Sequence, residues 1–265
     1  STHCISSAAS DVYKRQGFVL YFLSKKAEYK VRLLYKEEIR TCGKDAKNIV
    51  SLGTAGFVMQ LTNSLVSICC NNVLSATGGD VYVSVMTIIS SVRQMIETPI
   101  WSISEGSSPV ISYNYGAKRP KKVIEAWITM SVLALIYSLI AWSVILFAPK
   151  FLIGIFSSDK SLMIDTVPAM KLYFSAFIFM LFQYTGQTMF KSLNKKKQAI
   201  FFSILRKVII VVPMTYMFPY VFHMGSNGVF MAEPVSNVIG GSLCFIVMLL
   251  TVLPELKQMN SDLSS

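Results

Sequence analysis

The chain has 265 residues and a formal net charge of +11, yet only 15% of its residues are charged and 53% are hydrophobic, whereas a soluble domain carries about a quarter charged residues. Its apolar runs approach twenty residues, which excludes an ordinary soluble fold, because backbone entering hydrocarbon must satisfy its hydrogen bonds within helices or a closed barrel. The predicted class is an all-α, polytopic membrane protein built as a six-transmembrane-helix bundle.

Residues 1–16, STHCISSAASDVYKRQ, have no initiator Met, no apolar signal-peptide core and no composition in common with the rest of the chain. They resemble translated adaptor sequence at the ends of metagenomic assemblies, so an extraneous segment is expected, with a disordered native tail as the alternative. The run GFVLYFL at 17–23 is too short to cross a bilayer and reads as the end of a helix whose beginning is missing. From 24 to 47 the pattern is that of a basic amphipathic helix on the cytoplasmic surface, with Val31, Leu34, Tyr35 and Ile39 at helical spacing beside Lys and Glu. Residues 17–47 thus form a truncated helix plus linker, 48–253 a six-helix lobe and 254–265 a cytoplasmic tail.

The six predicted spans lie near 48–76, 81–115, 125–149, 169–190, 198–222 and 227–253. Positive charge alternates along the intervening loops. Lys118, Arg119, Lys121 and Lys122 follow the second span and Lys191, Lys195, Lys196 and Lys197 the fourth, while ATGGD (76–80) and FHMGSNG (222–228) carry no Lys or Arg. Since basic loops stay cytoplasmic, the pattern predicts a multi-pass protein of the bacterial plasma (inner) membrane with both ends of the chain in the cytoplasm. The same distribution argues against nucleic acid as partner of KKAEYKVRLLYK (25–36) and in favour of anionic lipid at the bilayer surface.

Polar residues inside the spans are the candidates for function, because they are costly in lipid and turn toward a bundle interior or a wet cavity. In the first span Gln60, Asn63, Ser67 and Asn71 share one helical stripe, suited to cavity lining or to hydrogen bonds between helices. The second span carries Arg93 and Glu97 one turn apart, an ion pair that reads as a gate or as a structural link, with Gln94 adjacent as a cavity candidate. Pro99 and Pro109 are expected to bend or break this helix. The fourth span contributes Met180, Gln183, Tyr184 and Gln187, a mixture of amide, thioether and ring suited to a lipophilic cation or to a packed polar seam.

Arg206 and Lys207, two turns into the fifth span, are expected to snorkel to the interface, and Pro213 and Pro219 to interrupt that helix. Glu233, before Pro234 in the sixth span, is an unpaired intramembrane carboxylate and a weak candidate for ion coupling. Cys42, Cys69, Cys70 and Cys244 have no metal-ligand spacing, and His223 stands alone at an outer helix end. With no HExxH, no His–carboxylate cluster and no base near a serine, the sequence offers no catalytic, metal or cofactor site and reads as a non-enzyme.

The stretch EGSSPVISYNYGAKRPKKV (105–123) is similar to the end of the eighth helix and following loop of multidrug and toxic compound extrusion (MATE) transporters, matched at Gly106, Pro109, Asn114, Tyr115, Gly116 and Ala117. NNVLSATGGD (71–80) resembles the outer end of the seventh helix in that family, and GSNGVFMAEPVSN (225–237) the start of the twelfth. The resemblance covers 17–265 and implies one lobe of a twelve-helix fold, helices seven to twelve, with the N-terminal lobe of the same chain missing. It implies export of small cationic lipophilic compounds in antiport with protons or sodium ions, the ion undecided. Some members carry a carboxylate near the position of Asn63, so the chain looks more like the bacterial branch that couples through an Asp of the other lobe. Two alternatives remain beside this: a lipid-linked oligosaccharide flippase of the same wider fold, which needs a cationic cavity where only Arg93 is expected, and a non-transporting membrane scaffold.

Overall fold

The computed structural model describes the backbone of residues 43–157 and 159–262, and the side chains of 61–261 other than 158, 160 and 196. The chain forms two compact units, residues 1–54 and 55–265. The segment at 1–16, the cut helix at 17–23 and the basic helix up to residue 42 lie outside the described residues, as does the side chain of Gln60.

The first helix, α1, runs Gly43–Gly116 with one break in its helical geometry, Gly79 at φ 71° and ψ −171°. Its 74 residues correspond to about 110 Å at 1.5 Å per residue, far beyond a hydrocarbon core of about 30 Å, so the break at Gly79 divides two crossings. The backbone angles at this turn are ones that glycine alone adopts without strain. Beside it, a Cβ on Gly78 would stand 2.3 Å from Ser226 Oγ, so this end of the arm closes on the start of the last crossing only because residue 78 has no side chain.

After Gly116 the chain turns through Lys118 at φ 53° and re-enters a helix at Pro120. Proline suits that first position because its missing N–H would be unsatisfied there in any case. Helix α2, Pro120–Phe147, is followed by the short α3, Pro149–Phe156. Asp159 then caps α4, Lys160–Tyr173, accepting from the Ser161 backbone N–H at 2.8 Å and from its hydroxyl, which holds this exposed carboxyl below the usual range. Helix α5, Phe177–Ser192, leaves α4 at 51°.

The sequence predicts one continuous span at 169–190; the chain instead bends across residues 174–176. Trp142 of α2 donates its indole N–H at 2.9 Å to the Phe174 carbonyl, which also accepts from the Phe177 N–H at 3.1 Å, so the bend is tied to α2.

The next crossing is α6, Lys196–Ile204, then a π-helical stretch Leu205–Val211, then α7, Val212–Tyr220. The last is α8, Ser226–Ser236, a second π-helical stretch Asn237–Gly241, and α9, Ser242–Asp262. Among the described residues four helices are long and apolar enough to cross a membrane, and the α4–α5 pair makes a fifth. Counting the two arms of α1 separately gives the six expected crossings. Pro99 and Pro109, expected to bend or break α1, sit within helical backbone angles, and the break falls at Gly79 instead. In the fifth crossing a π-helical stretch ends just before Pro213, with the Val212 N–H donating to the Lys207 carbonyl five residues back.

A buried cluster joins Val85, Ile89 and Val92 of α1 to Ala134 and Ile145 of α2, Phe174 and Phe177 at the bend, and Phe230 of α8. A second cluster toward the other end packs Phe190 of α5 on Phe202 of α6, with Met248 and Val252 of α9. The outward faces stay apolar, as Ile136 and Ile140 of α2 and Leu250 of α9 illustrate, each at least half exposed. Such a surface suits acyl chains.

Candidate functional site

Helical spacing in α1 places Arg93 and Glu97 one turn apart, and Arg93 Nε meets Glu97 Oε1 at 2.6 Å. The pair continues across helices. Arg93 donates from Nη1 to the Tyr173 hydroxyl at 2.7 Å, and the Tyr184 hydroxyl donates to Glu97 Oε2 at 3.3 Å. Tyr173 ends α4 and Tyr184 lies in α5, so the bend between those helices brings both phenols to one ion pair.

On the other side stand Arg206 and Lys207, in the π-helical stretch of the fifth crossing, and Glu233 in α8. The Glu233 carboxylate lies 3.2 Å from Arg206, 3.3 Å from Lys207 and 3.6 Å from Arg93. Arg206 also donates to the side-chain carbonyl of Asn237, the first residue of the second π-helical stretch. The approach is possible because Gly240 has no side chain: a Cβ there would sit 2.8 Å from Arg206 Cγ. Two expectations are corrected here. Arg206 and Lys207 do not snorkel, being 5% and 9% exposed, and Glu233 is not unpaired but ringed by three cations. Snorkelling requires the side chain to point along its helix toward the interface; these two point across the bundle, where a buried carboxylate offsets their desolvation.

Two adjoining hollows of about 390 Å³ each open beside this cluster, and Asn63, Arg93, Glu97, Trp101, Tyr184 and Lys207 line both. They form one cleft with a shared charged wall. Of the predicted cavity residues, Asn63 and Tyr184 border both hollows, Ser67 and Gln94 the first, and Gln183 and Gln187 the second. Gln187 serves both of the roles left open for it, since it also donates to Ser203 Oγ of α6 at 2.8 Å. Met180 is the exception: it is 2% exposed among Phe177, Leu181 and their neighbours, and lines neither hollow. Four residues separate it from Tyr184, but the bundle curves so that this turn of α5 meets other helices instead of the cleft.

Sequence reasoning missed Tyr173, which is aromatic at a helix end and carries no local signal, and Trp101, two turns beyond Arg93 on the same arm. Arg206 and Lys207 did carry one, two adjacent cations deep inside an apolar run. The site holds no arrangement of three His, Cys, Asp or Glu for a metal ion among the described residues. Charged, amide and aromatic groups surround a space large enough for a small organic molecule.

The NYGA stretch lies elsewhere, at the far end of α1. Asn114 bonds back to the Val110 carbonyl at 2.8 Å, and the Tyr115 hydroxyl donates to Glu255 of α9 at 2.6 Å, where Lys195 also pairs. Ser108 and Ser112 bond to Ser192 at the end of α5. Gly106 and Pro109 belong to the same helical arm, while Gly116 closes it and Ala117 donates to the Tyr113 carbonyl in the turn. This motif fastens three helix ends and takes no part in the cleft.

A family model, MatE, matches residues 56–217, more than half of the chain. Among solved structures, one described as MATE in the straight conformation is similar at a TM-score of 0.78 and 19% identity, over 93% of this chain and 54% of that one. A multidrug resistance MATE family transporter of the MOP superfamily, in an outward-facing conformation, is similar at 0.77 and 19%, over 92% and 53%. A MOP superfamily transporter from Pyrococcus furiosus, described as having a binding pocket whose reverse polarity suggests a different function, is similar at 0.78 and 19%, over 92% and 53%. The chain spans about half the length of the solved structures it matches, and at this identity the likeness is one of fold. No curated protein sequence matches it.

Proposed function

Since this chain belongs to the MatE family of transporters, we propose that it forms the C-terminal lobe of a secondary active exporter of the bacterial plasma membrane, moving small lipophilic organic compounds outward in exchange for protons or sodium ions. The apolar part of such a compound would meet the faces of Trp101 and Tyr184, beside the amides of Asn63 and Gln94, in the first hollow. A second six-helix lobe, supplied by the same full-length chain, would complete the cavity and rock against this one. Coupling then rests on unequal affinities of cargo and ion for the two rocked states.

The observation that carries this reading is the cleft itself. The charged cluster of Arg93, Glu97, Arg206, Lys207 and Glu233 borders two hollows inside a bundle whose outer faces suit lipid. Intramembrane charge is expensive, and a scaffold would have no use for a polar hollow. The flippase reading gains one point from the geometry, because Arg206 and Lys207, and Lys191 at the edge, join Arg93 around the cleft where one cation was expected.

The full-length gene, expressed in cells lacking their own exporters, should lower ethidium accumulation, and dissipating the proton or sodium gradient should restore it. Unchanged accumulation with verified membrane insertion, across ethidium and a panel of other amphiphiles, overturns the exporter.

A further inference from the structure

Charge around the cleft is unbalanced. Arg93, Arg206 and Lys207 face two carboxylates, Glu97 and Glu233, so one positive charge is in excess, and the Lys191–Glu105 pair at the edge of the second hollow adds none. The carboxylates are also distributed unevenly. Glu97 is held by Arg93 and Tyr184, leaving Glu233 alone to serve Arg206 and Lys207 while also approaching Arg93.

Donors remain over. An ammonium has three N–H groups, and Lys207 makes a single hydrogen bond among the described residues, to Glu233. Arg206 Nε is buried with no hydrogen-bond partner, although the residue is 5% exposed and lines the second hollow. A buried charged donor left without an acceptor is costly, and native structures fill such places with a ligand, an ion or water.

We propose that Arg206 and Lys207 form an oxyanion subsite on the wall of the cleft, which takes the carboxylate or phosphate group of an amphiphilic cargo whose apolar part lies along Trp101 and Tyr184. The inference rests on the reading of the cleft as cargo-facing and adds to it the charge of the cargo. One monovalent anion brings the cluster to neutrality. Its oxygens supply the acceptors that the Lys207 ammonium lacks, at a point where Glu233 already fixes both cations. Lys207 borders both hollows, so an anionic head held there leaves the chain of the cargo free to enter either.

The test is equilibrium binding to the purified full-length protein, with octanoate, octyl phosphate, octylammonium and inorganic phosphate as probes. The two octyl anions should bind at least about tenfold more tightly than octylammonium, which needs no variant to observe. Lys207→Met should weaken the octyl anions by about ten- to a hundredfold, the span of one charge-assisted hydrogen bond, and tighten octylammonium. Lys207→Arg should restore anion binding. Competition by inorganic phosphate as strong as by octyl phosphate identifies a free oxyanion as the occupant, and competition that requires the octyl chain identifies an amphiphile.

Equal binding of anions and octylammonium by the unaltered protein overturns the subsite, as does Lys207→Met lowering both classes alike. Ethidium efflux measured on the same protein separates the two readings: efflux without anion preference sinks the subsite alone, and anion binding without transport of any compound sinks the exporter.

Discussion

Two ion pairs of this chain have almost the same sequence spacing and opposite surroundings. Arg93 and Glu97 are four residues apart in α1, with side chains 26% and 14% exposed; Lys122 and Glu125 are three apart in α2, with side chains 62% and 64% exposed. Each makes a short contact, at 2.6 and 2.7 Å. The exposed pair exchanges one set of water contacts for another and stops at two residues. Its counterpart is partly withdrawn from water, where an unmet donor or acceptor costs more, and it grows into a network with Tyr173, Tyr184 and Glu233. Burial, not spacing, turns an ion pair into a site.

The sharpest way to break that comparison is to remove the carboxylate on which three cations converge. Glu233→Gln leaves Arg206 and Lys207 buried without a counter-charge, and should cost about 3–5 kcal/mol. The expected outcome is a collapse of the thermal unfolding midpoint in detergent, read by tryptophan fluorescence. A midpoint equal to that of the unaltered protein would mean that water already solvates these cations.

Exchanging the two charges of α1 should have a smaller effect and says more about the network. Arg93→Glu combined with Glu97→Arg preserves the one-turn pair, so a purely local link would be fully restored. Because position 93 also donates to Tyr173 and faces Glu233, the swap should stay about 2 kcal/mol below the unaltered protein, the cost of hydrogen bonds to charged groups left unmade. Full recovery in the same unfolding assay would reduce the cluster to an isolated helix pair.

Lys122→Ala marks the other end of the scale. An exposed pair of this kind contributes no more than about 0.5 kcal/mol, so the unfolding midpoint should move within the error of the assay. A shift as large as that of the charge swap would erase the distinction between the two regions.

Fold and site differ in how far they were legible before the structure. The spans, the turn at ATGGD and the motif around Asn114 and Tyr115 are local signals: runs of apolar residues, a glycine where the chain must turn, a helix end followed by proline. The cleft residues Asn63, Ser67, Gln94, Gln183, Tyr184 and Gln187 followed from one argument, that polar groups in a membrane helix turn inward. Met180 failed because helical spacing gives the face of one helix, and a 51° bend decides which neighbour that face meets. Arg206 and Lys207 failed because distance from a helix end cannot tell a side chain that reaches along the helix from one that reaches across the bundle.

By itself the sequence determined that this chain spans a membrane as helices and which family it resembles, since hydropathy and motif order are properties of neighbouring residues. Only the tertiary structure brought Tyr173, Arg206, Lys207 and Glu233 to Arg93, across as many as 140 residues of chain. That meeting depends on the bend after Tyr173, the two π-helical stretches and the bare backbone at Gly240. Each shifts the register between helices by a fraction of a turn, a geometric quantity that residue order within any one helix does not contain.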